Sequence, residues 1–165
     1  RMERAAPDVM VVHLRLPQNE RLQYLPGQYV DILMKDGQRR SFSMANAPFS
    51  DDLLELHIRD YGGVFSQHAF QRMKPRDILR FEGPFGSFFL REDSDKPMVL
   101  LASGTGFAPI KAIIEHMQFK GTPTFPASVL DKAISRTGGS FSPALSSPEA
   151  IRRRRKTTAA TLQHC

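Results

Sequence analysis

The stretch Met98-Val99-Leu100-Leu101-Ala102-Ser103-Gly104-Thr105-Gly106-Phe107-Ala108-Pro109 marks a change of pattern along the chain. The apolar run 98–102 is typical of a strand buried on both faces of a parallel sheet. Beyond the glycines, apolar residues recur at helical spacing over 108–117. A glycine turn between such a strand and a helix is the setting that a phosphate-binding turn requires. An ordinary tight turn is the alternative, since the third glycine of the usual dinucleotide fingerprint is replaced by Pro109.

The residues before this stretch predict a small antiparallel barrel. The segment 53–59 alternates Leu54, Leu56 and Ile58 with polar residues, which is the period-two pattern of a strand with one buried face. Short strands separated by Gly/Pro turns favour a barrel over a parallel sheet. The predicted strands are 9–16, 27–34, 40–44, 53–59, 78–81 and 85–90, and a helix at 65–73 capped by Ser66 interrupts them.

These patterns predict a mainly β fold. It consists of a six-stranded antiparallel Greek-key barrel with one helix (1–97), the first strand–turn–helix unit of a truncated α/β nucleotide-binding domain (98–120) and a tail (121–165). The tail is rich in Gly, Ala, Pro, Ser and Thr and has no apolar periodicity, so we expect it to be disordered. Its composition would also suit an out-of-frame or aberrant terminus.

Charge and composition exclude several functional classes. The net charge of +6 is concentrated after residue 120, where seven Lys/Arg face two Asp/Glu, so the predicted folded part is near neutral. A nucleic-acid role for the basic run 152–156 is a weak alternative. The single cysteine, Cys165, supplies no disulfide or iron–sulfur ligand set, and the scattered histidines lack metal-ligand spacing. We expect a cytoplasmic protein with no metal, no membrane span and no nucleic-acid partner.

Two further segments carry residues that suit a flavin dinucleotide. Arg40-Ser41-Phe42-Ser43 combines a guanidinium for a phosphate, an aromatic ring and two hydroxyls. Gly62-Gly63-Val64-Phe65-Ser66 places glycines at a helix start, where free amides and the helix dipole favour an anion. Taken singly, each has a plainer interpretation: an ordinary amphipathic edge strand for the first, and a capped helix for the second.

Residues 7–120 resemble the flavin domain and first α/β unit of the ferredoxin–NADP reductase superfamily. They are most similar to the reductases that serve the CDP-6-deoxyhexose dehydrase and the ring-hydroxylating dioxygenases. The motifs that carry the resemblance occur in the family's order: Pro26-Gly27-Gln28-Tyr29, Arg40-Ser41-Phe42-Ser43, Leu56-His57-Ile58-Arg59, Gly63-Val64-Phe65-Ser66, Gly83-Pro84-Phe85-Gly86 and Gly104-Thr105-Gly106-Phe107-Ala108-Pro109.

The resemblance implies FAD as the cofactor and assigns roles to these motifs. Arg40 pairs with the pyrophosphate, Phe42 stacks on the isoalloxazine ring, and Ser43 lies near N5 as the catalytic residue. The other implied cofactor-binding residues are Ser41, the flavin-edge group His57, Ile58 and Arg59, the pyrophosphate group Gly63, Val64, Phe65 and Ser66, and the nicotinamide-dinucleotide group Gly104, Thr105, Gly106 and Pro109.

The implied activity is electron transfer from NAD(P)H through FAD to an iron–sulfur acceptor, either a further domain or a separate protein. The departures are Phe42 in place of the commoner tyrosine, and the absence of the family's later Cys-Gly-x-Pro segment and of the four cysteines of a plant-type iron–sulfur domain. We therefore expect a fragment of an NAD(P)H-dependent flavin oxidoreductase that is poorly active alone. The alternative is a non-catalytic FAD- or nucleotide-binding module without a working NAD(P)H site.

Overall fold

Two three-stranded antiparallel sheets account for most of the N-terminal residues in the computed structural model. The structure describes residues 1–18, 20–49, 53–94, 96, 98–121 and 130–131. The first sheet has the order β1–β2–β5 and the second β4–β3–β6. The strands are β1 Met2–Ala6, β2 Val9–Arg15, β3 Tyr29–Leu33, β4 Arg39–Ser43, β5 Leu53–Arg59 and β6 Arg80–Phe85.

The two sheets enclose one apolar core. An isolated antiparallel bridge between Met44 and Leu56 connects the end of β4 to β5. Alternation along each strand directs the β-branched and leucine side chains inward, where burial of each contributes about 1.5–3 kcal/mol. The fully buried members include Val30, Ile32, Met44, Leu54, Leu56 and Ile58.

The predicted strands agree with the structure except at the two ends of this region. Strand β1 was not predicted, because its central residues are exposed and carry no alternation; it is held by its pairing with β2. The predicted strand 78–81 lies at 80–85, and the predicted strand 85–90 is wrong. Gly86, at φ +97, ends β6. A closed six-stranded Greek-key barrel is therefore not confirmed in detail.

Helix α1 (Val64–Gln71) begins one residue before the predicted helical segment 65–73 and ends two residues before its end, and its cap differs from the prediction. The N-cap residue is Gly63, and no side chain in the described part of the chain caps the helix. Ser66 lies in the first turn instead, where its hydroxyl oxygen is 2.9 Å from Asp60 Oδ1 and 3.0 Å from the Gly63 carbonyl. Ser66 therefore braces the loop that enters the helix.

The strand–turn–helix unit after residue 98 is present. Strand β7 (Leu101–Ala102) pairs in parallel with β8 (Leu130–Asp131), and helix α2 (Phe107–Lys120) follows the turn Gly104–Gly106. The expectation of burial on both faces of 98–102 is wrong for the described residues. Leu100 is buried with α2, whereas Val99 and Leu101 are 72% and 67% exposed, because α2 covers one side only.

The division of the chain at residues 97 and 120 remains a prediction. The described residues fall in one unit, Arg1–Lys132. The predicted disordered tail, 121–165, lies outside the described residues except for Gly121, Leu130 and Asp131. No helix among the described residues is long and apolar enough to cross a membrane.

Candidate functional site

The outward face of β5 is the centre of the candidate site. Leu54, Leu56 and Ile58 point into the core, so alternation places Glu55, His57 and Arg59 on the opposite face. His57 and Arg59 are two of the three residues predicted to line the flavin edge, and they are partly exposed. Ile58, the third, is fully buried, so its side chain is not presented to a ligand.

Arg59 joins this face to the turn Gly104–Gly106. Its Nε atom donates to Asp8 Oδ2 at 2.6 Å, and its guanidinium lies 5.2 Å from the centre of the Tyr61 ring. A Cβ atom added to Gly104 would lie 3.0 Å from Arg59 Nη1. The end of β5 and the predicted dinucleotide turn are therefore neighbours. Gly104 has φ +55, a conformation that glycine adopts without strain.

Within the turn itself, the Gly106 amide is already engaged, because it donates to the Ser103 carbonyl at 3.1 Å. The segment Gly104–Gly106 forms one turn of 3₁₀ helix that leads directly into α2, and no side chain of the described residues caps either helix start. Gly104 and Gly106 are exposed and Thr105 is half-buried. Pro109 lies in the first turn of α2, where its missing N–H group costs no helical hydrogen bond. Helix starts of this kind leave amides for an anion.

The start of α1 offers a second set of amides. Asp60 Oδ1 accepts from the Gly62 amide at 2.9 Å, so that amide is already occupied. Gly63 and Val64 are exposed, whereas Phe65 and Ser66 are buried. The opening of the helix around Gly63 and Val64 therefore suits a phosphate better than the later half of the predicted motif.

Arg40, on β4, carries a charge without an acidic partner in the described part of the chain. Its guanidinium donates to the Arg39 carbonyl and to Gln38 Oε1, both at 2.7 Å. Ser41 is engaged elsewhere, since its hydroxyl donates to Asp31 Oδ1 at 2.6 Å on the neighbouring strand. The structure thus leaves Arg40 available to an anion but gives Ser41 a structural partner.

Phe42 links β4 to α1. Its ring centre lies 5.2 Å from that of Phe65, and the rings are tilted by 48°. Phe42 lies opposite Val30 in the register, on the core side of the sheet, while Ser43 lies opposite Tyr29 on the other side. Both are half-buried, and among the described residues no hydrogen bond holds the Ser43 hydroxyl. Phe42 and Phe65 bring the Arg40 strand and the uncapped helix start together.

A largely buried charged cluster beside His57 was missed by the sequence analysis. Glu55 Oε1 lies 2.8 Å from His57 Nε2, and Glu55 Oε2 lies 3.0 Å from Lys111 Nζ on α2. Lys111 also donates to the Ala45 carbonyl at 3.0 Å and pairs with Glu115 at 2.9 Å. The only sequence signal was the i,i+4 spacing of Lys111 and Glu115, which is common on exposed helices and did not indicate burial.

Burial and pairing act in opposite directions on Glu55. Burial, the largest influence, raises its pKa, but the hydrogen bond from His57 and the charge of Lys111 together outweigh burial. The net effect lowers the pKa of Glu55 to about 2. Glu55 is therefore an anion at neutral pH. Burial lowers the pKa of nearby His13 and raises that of Tyr24, whose hydroxyl donates to the Asn46 carbonyl at 2.9 Å.

Comparison with known proteins places this geometry in context. The model of the oxidoreductase FAD-binding domain matches residues 1–90. The CDP-6-deoxy-L-threo-D-glycero-4-hexulose-3-dehydrase reductase of Yersinia pseudotuberculosis is 49% identical over 117 residues, covering 70% of this chain and 35% of the relative. Reductase component 1 of the terephthalate 1,2-dioxygenase of Comamonas is 46% identical over 114 residues, covering 68% of this chain and 34% of the relative.

A solved structure shows the same fold. The crystal structure of the Amycolatopsis cytochrome P450 reductase GcoB aligns with a TM-score of 0.69 and 35% identity, over 79% of this chain and 40% of that one. The chain spans about a third of the length of the curated relatives described above. Because the family model covers more than half of the chain, this protein belongs to the oxidoreductase FAD-binding domain family, and FAD is its cofactor.

Proposed function

We propose that this chain is the FAD-binding part of an oxidoreductase that takes electrons from NAD(P)H and passes them to an iron–sulfur acceptor. The observation that carries the proposal is the contact between Arg59 and Gly104. It joins the strand with the predicted flavin residues to the turn with the predicted dinucleotide residues. Electron transfer between two bound cofactors requires such adjacency. The similarity to reductases of dehydrase and dioxygenase systems supports the same function.

The residues at the predicted pyrophosphate site fit FAD. Arg40 has no acidic partner among the described residues, and the start of α1 at Gly63 and Val64 is uncapped and exposed. A guanidinium and helix-terminal amides are the groups that bind a pyrophosphate best. Asp60 occupies the Gly62 amide and so fixes the loop in the conformation that opens the helix start.

The residues proposed for the flavin ring lie on β4 and β5. Phe42 would contact the ring through the part of its side chain that Phe65 leaves open, and the unbonded Ser43 hydroxyl would donate to the N5 edge. His57 would face the ribityl chain or ring edge from β5. When bound, FAD supplies the redox chemistry, accepting two electrons and releasing them singly. The protein binds the cofactor, orients it and provides hydrogen bonds.

The turn Gly104–Gly106, with Thr105 and Pro109, would receive the nicotinamide dinucleotide. Its exposed glycines allow a phosphate to approach the main chain closely. Arg59 Nη1 beside Gly104 adds a positive charge at the same place. We place the protein in the cytoplasm, where nicotinamide dinucleotides serve as electron donors and where a chain with a single cysteine needs no oxidising environment.

Two measurements on the purified chain test this function. Titration with FAD and with FMN should show at least tenfold preference for FAD, because FMN lacks the pyrophosphate. A protein that remains colourless after addition of FAD contradicts the proposal. Stopped-flow mixing of the FAD-loaded protein with NADH or NADPH should then bleach the flavin absorption, but slowly, in agreement with the expected poor activity of the chain alone. Reduction by dithionite but by neither nucleotide identifies the chain instead as a non-catalytic FAD-binding module.

A further inference from the structure

Glu55 lies at the junction of the two cofactor-associated elements. Its carboxylate accepts from His57 Nε2 on its own strand and from Lys111 Nζ on α2. The three side chains are only 15%, 13% and 16% exposed. Few charged side chains are this buried without a specific partner. The arrangement is therefore a built feature of the interface between β5 and α2.

The groups around Glu55 come from every element packed against it. His13 on β2 places Nε2 3.7 Å from Glu55 Oε2. From α2, Lys111 pairs with Glu115, whose second oxygen accepts from the Ala47 amide at 3.3 Å. From the segment after β4, the Ala45 carbonyl accepts from Lys111 at 3.0 Å. Lys111 thus compensates the two carboxylates and fastens α2 to this segment.

The bond to Glu55 also determines what His57 can offer a ligand. A carboxylate accepts hydrogen bonds only, so the Nε2 atom that faces it carries a proton. In the neutral ring the other nitrogen, Nδ1, is then an acceptor. The ring geometry directs Nδ1 away from the bond between Nε2 and Glu55, and no hydrogen bond to Nδ1 is present among the described residues. Ribityl hydroxyls and the ring N–H group of a flavin are donors that match such an acceptor.

We propose that Glu55 is a positioning residue for the flavin site, holding the His57 ring so that Nδ1 faces the bound cofactor as an acceptor. The inference rests on the proposed function, because it uses the placement of His57 at the flavin edge. Lys111 supports the same arrangement by holding the carboxylate in place. Outer partners of this kind commonly orient the group that touches a cofactor or metal.

The first test compares FAD binding of the full chain with that of Glu55→Leu and His57→Gln. Each substitution should raise the dissociation constant for FAD about five- to tenfold and change the visible circular dichroism of the bound flavin. The double variant Glu55→Leu/His57→Gln should bind FAD no more weakly than His57→Gln alone, because Glu55 acts through His57. Glu82→Gln, at an exposed position paired with Arg39, is the matched control and should bind FAD normally.

A second variant separates positioning from folding. Glu55→Leu leaves the Lys111 ammonium without one of its acidic partners, whereas Glu55→Leu/Lys111→Leu replaces the pair with apolar side chains and leaves only the more exposed Glu115 without its lysine. A thermal melt checks that the double variant is folded. This double variant should still show the weaker FAD binding and the altered dichroism. If FAD binding is unchanged in Glu55→Leu/Lys111→Leu but weakened in His57→Gln, the positioning role of Glu55 is overturned and the role of His57 stands. The positioning role is also overturned if the dissociation constant of Glu55→Leu/His57→Gln for FAD rises by the product of the two single-variant increases. Unchanged binding in His57→Gln overturns the proposed role of His57 as well.

Discussion

Lys111 Nζ lies 3.0 Å from Glu55 Oε2, and this contact joins helix α2 to the outer face of strand β5. Both side chains are largely buried, at 16% and 15% exposure. The interface between the sheets and the strand–turn–helix unit is therefore fastened by a charged pair. Since the turn Gly104–Gly106 is continuous with α2, this pair also fixes the position of that turn.

The first prediction concerns the stability of this pair. Glu55→Leu and Lys111→Leu should each lower the free energy of unfolding by about 1.5–3 kcal/mol, since each removes one partner of a largely buried charge. The remaining partners are Glu115 for Lys111 and His57 for Glu55. The double variant should lose less than the sum of the two, with a coupling of at least about 1 kcal/mol. Urea denaturation of the four proteins measures the cycle. Strictly additive losses would show that the contact contributes nothing.

The second prediction is a dependence of stability on acid. The pKa of Glu55 is lowered from 4.5 to about 2, so the folded protein holds the ionised form more strongly than the unfolded chain does. The contribution of Glu55 is then complete above about pH 5 and is lost as the pH falls from about 4.5 towards 2. Denaturation of the wild type and Glu55→Leu at pH 7, 5, 4 and 3 should show a difference that is constant down to pH 5 and then shrinks. A difference that stays constant to pH 3 contradicts the assignment.

The third prediction uses two glycines that share a positive φ. Gly27, at φ +110, lies so close to the segment after β6 that an added Cβ would be 2.6 Å from the Phe88 carbonyl oxygen. A Cβ added to Gly37, at φ +79, would meet no atom of the described residues within 4 Å. Gly37→Ala should cost about 1 kcal/mol of stability from backbone strain alone. Gly27→Ala should cost about 3 kcal/mol or more, because main-chain atoms must also move. Equal losses in thermal melts would disprove the close approach.

Local sequence patterns were sufficient for the main strands and for both helices. The alternation of Leu54, Leu56 and Ile58 predicted β5, and the spacing of Ile110, Ile113 and Met117 predicted α2. Both elements bury one regular face, which is what periodicity reports. Strand β1 was not predicted because main-chain pairing at a sheet edge stabilises it. Its side chains are mostly exposed and show no period-two pattern.

Local sequence patterns predicted only part of the candidate site. The glycines of both turns and the cluster 40–43 could be recognised, because their chemistry is local. That Ser41 is bonded to Asp31, and that Ser66 braces a loop instead of capping the helix, depends on residues brought close by folding. The Glu55–Lys111 pair joins residues 56 positions apart, so no window along the sequence contains it.

The last prediction tests the anion site on β4 with two adjacent arginines. Arg40 bonds only neutral oxygens among the described residues, whereas Arg39 pairs with Glu82 at 2.5 Å across the sheet. Successive side chains of a strand point to opposite faces of the sheet, so the guanidiniums of Arg39 and Arg40 lie on opposite faces. Arg40→Ala should weaken FAD binding by about 1.5–3 kcal/mol, the scale of a hydrogen bond to a charged group, which is roughly 10- to 150-fold in dissociation constant.

Arg39→Ala is the matched control and should change the dissociation constant less than about twofold, since exposed ion pairs contribute little. The loss in Arg40→Ala should be smaller for FMN than for FAD, because FMN has one phosphate in place of the pyrophosphate. It should also shrink in concentrated salt, which screens an exposed charge. If Arg39→Ala and Arg40→Ala weaken FAD binding equally, the guanidinium of Arg40 has no special role. The pyrophosphate would then be held by the amides at the start of α1 alone.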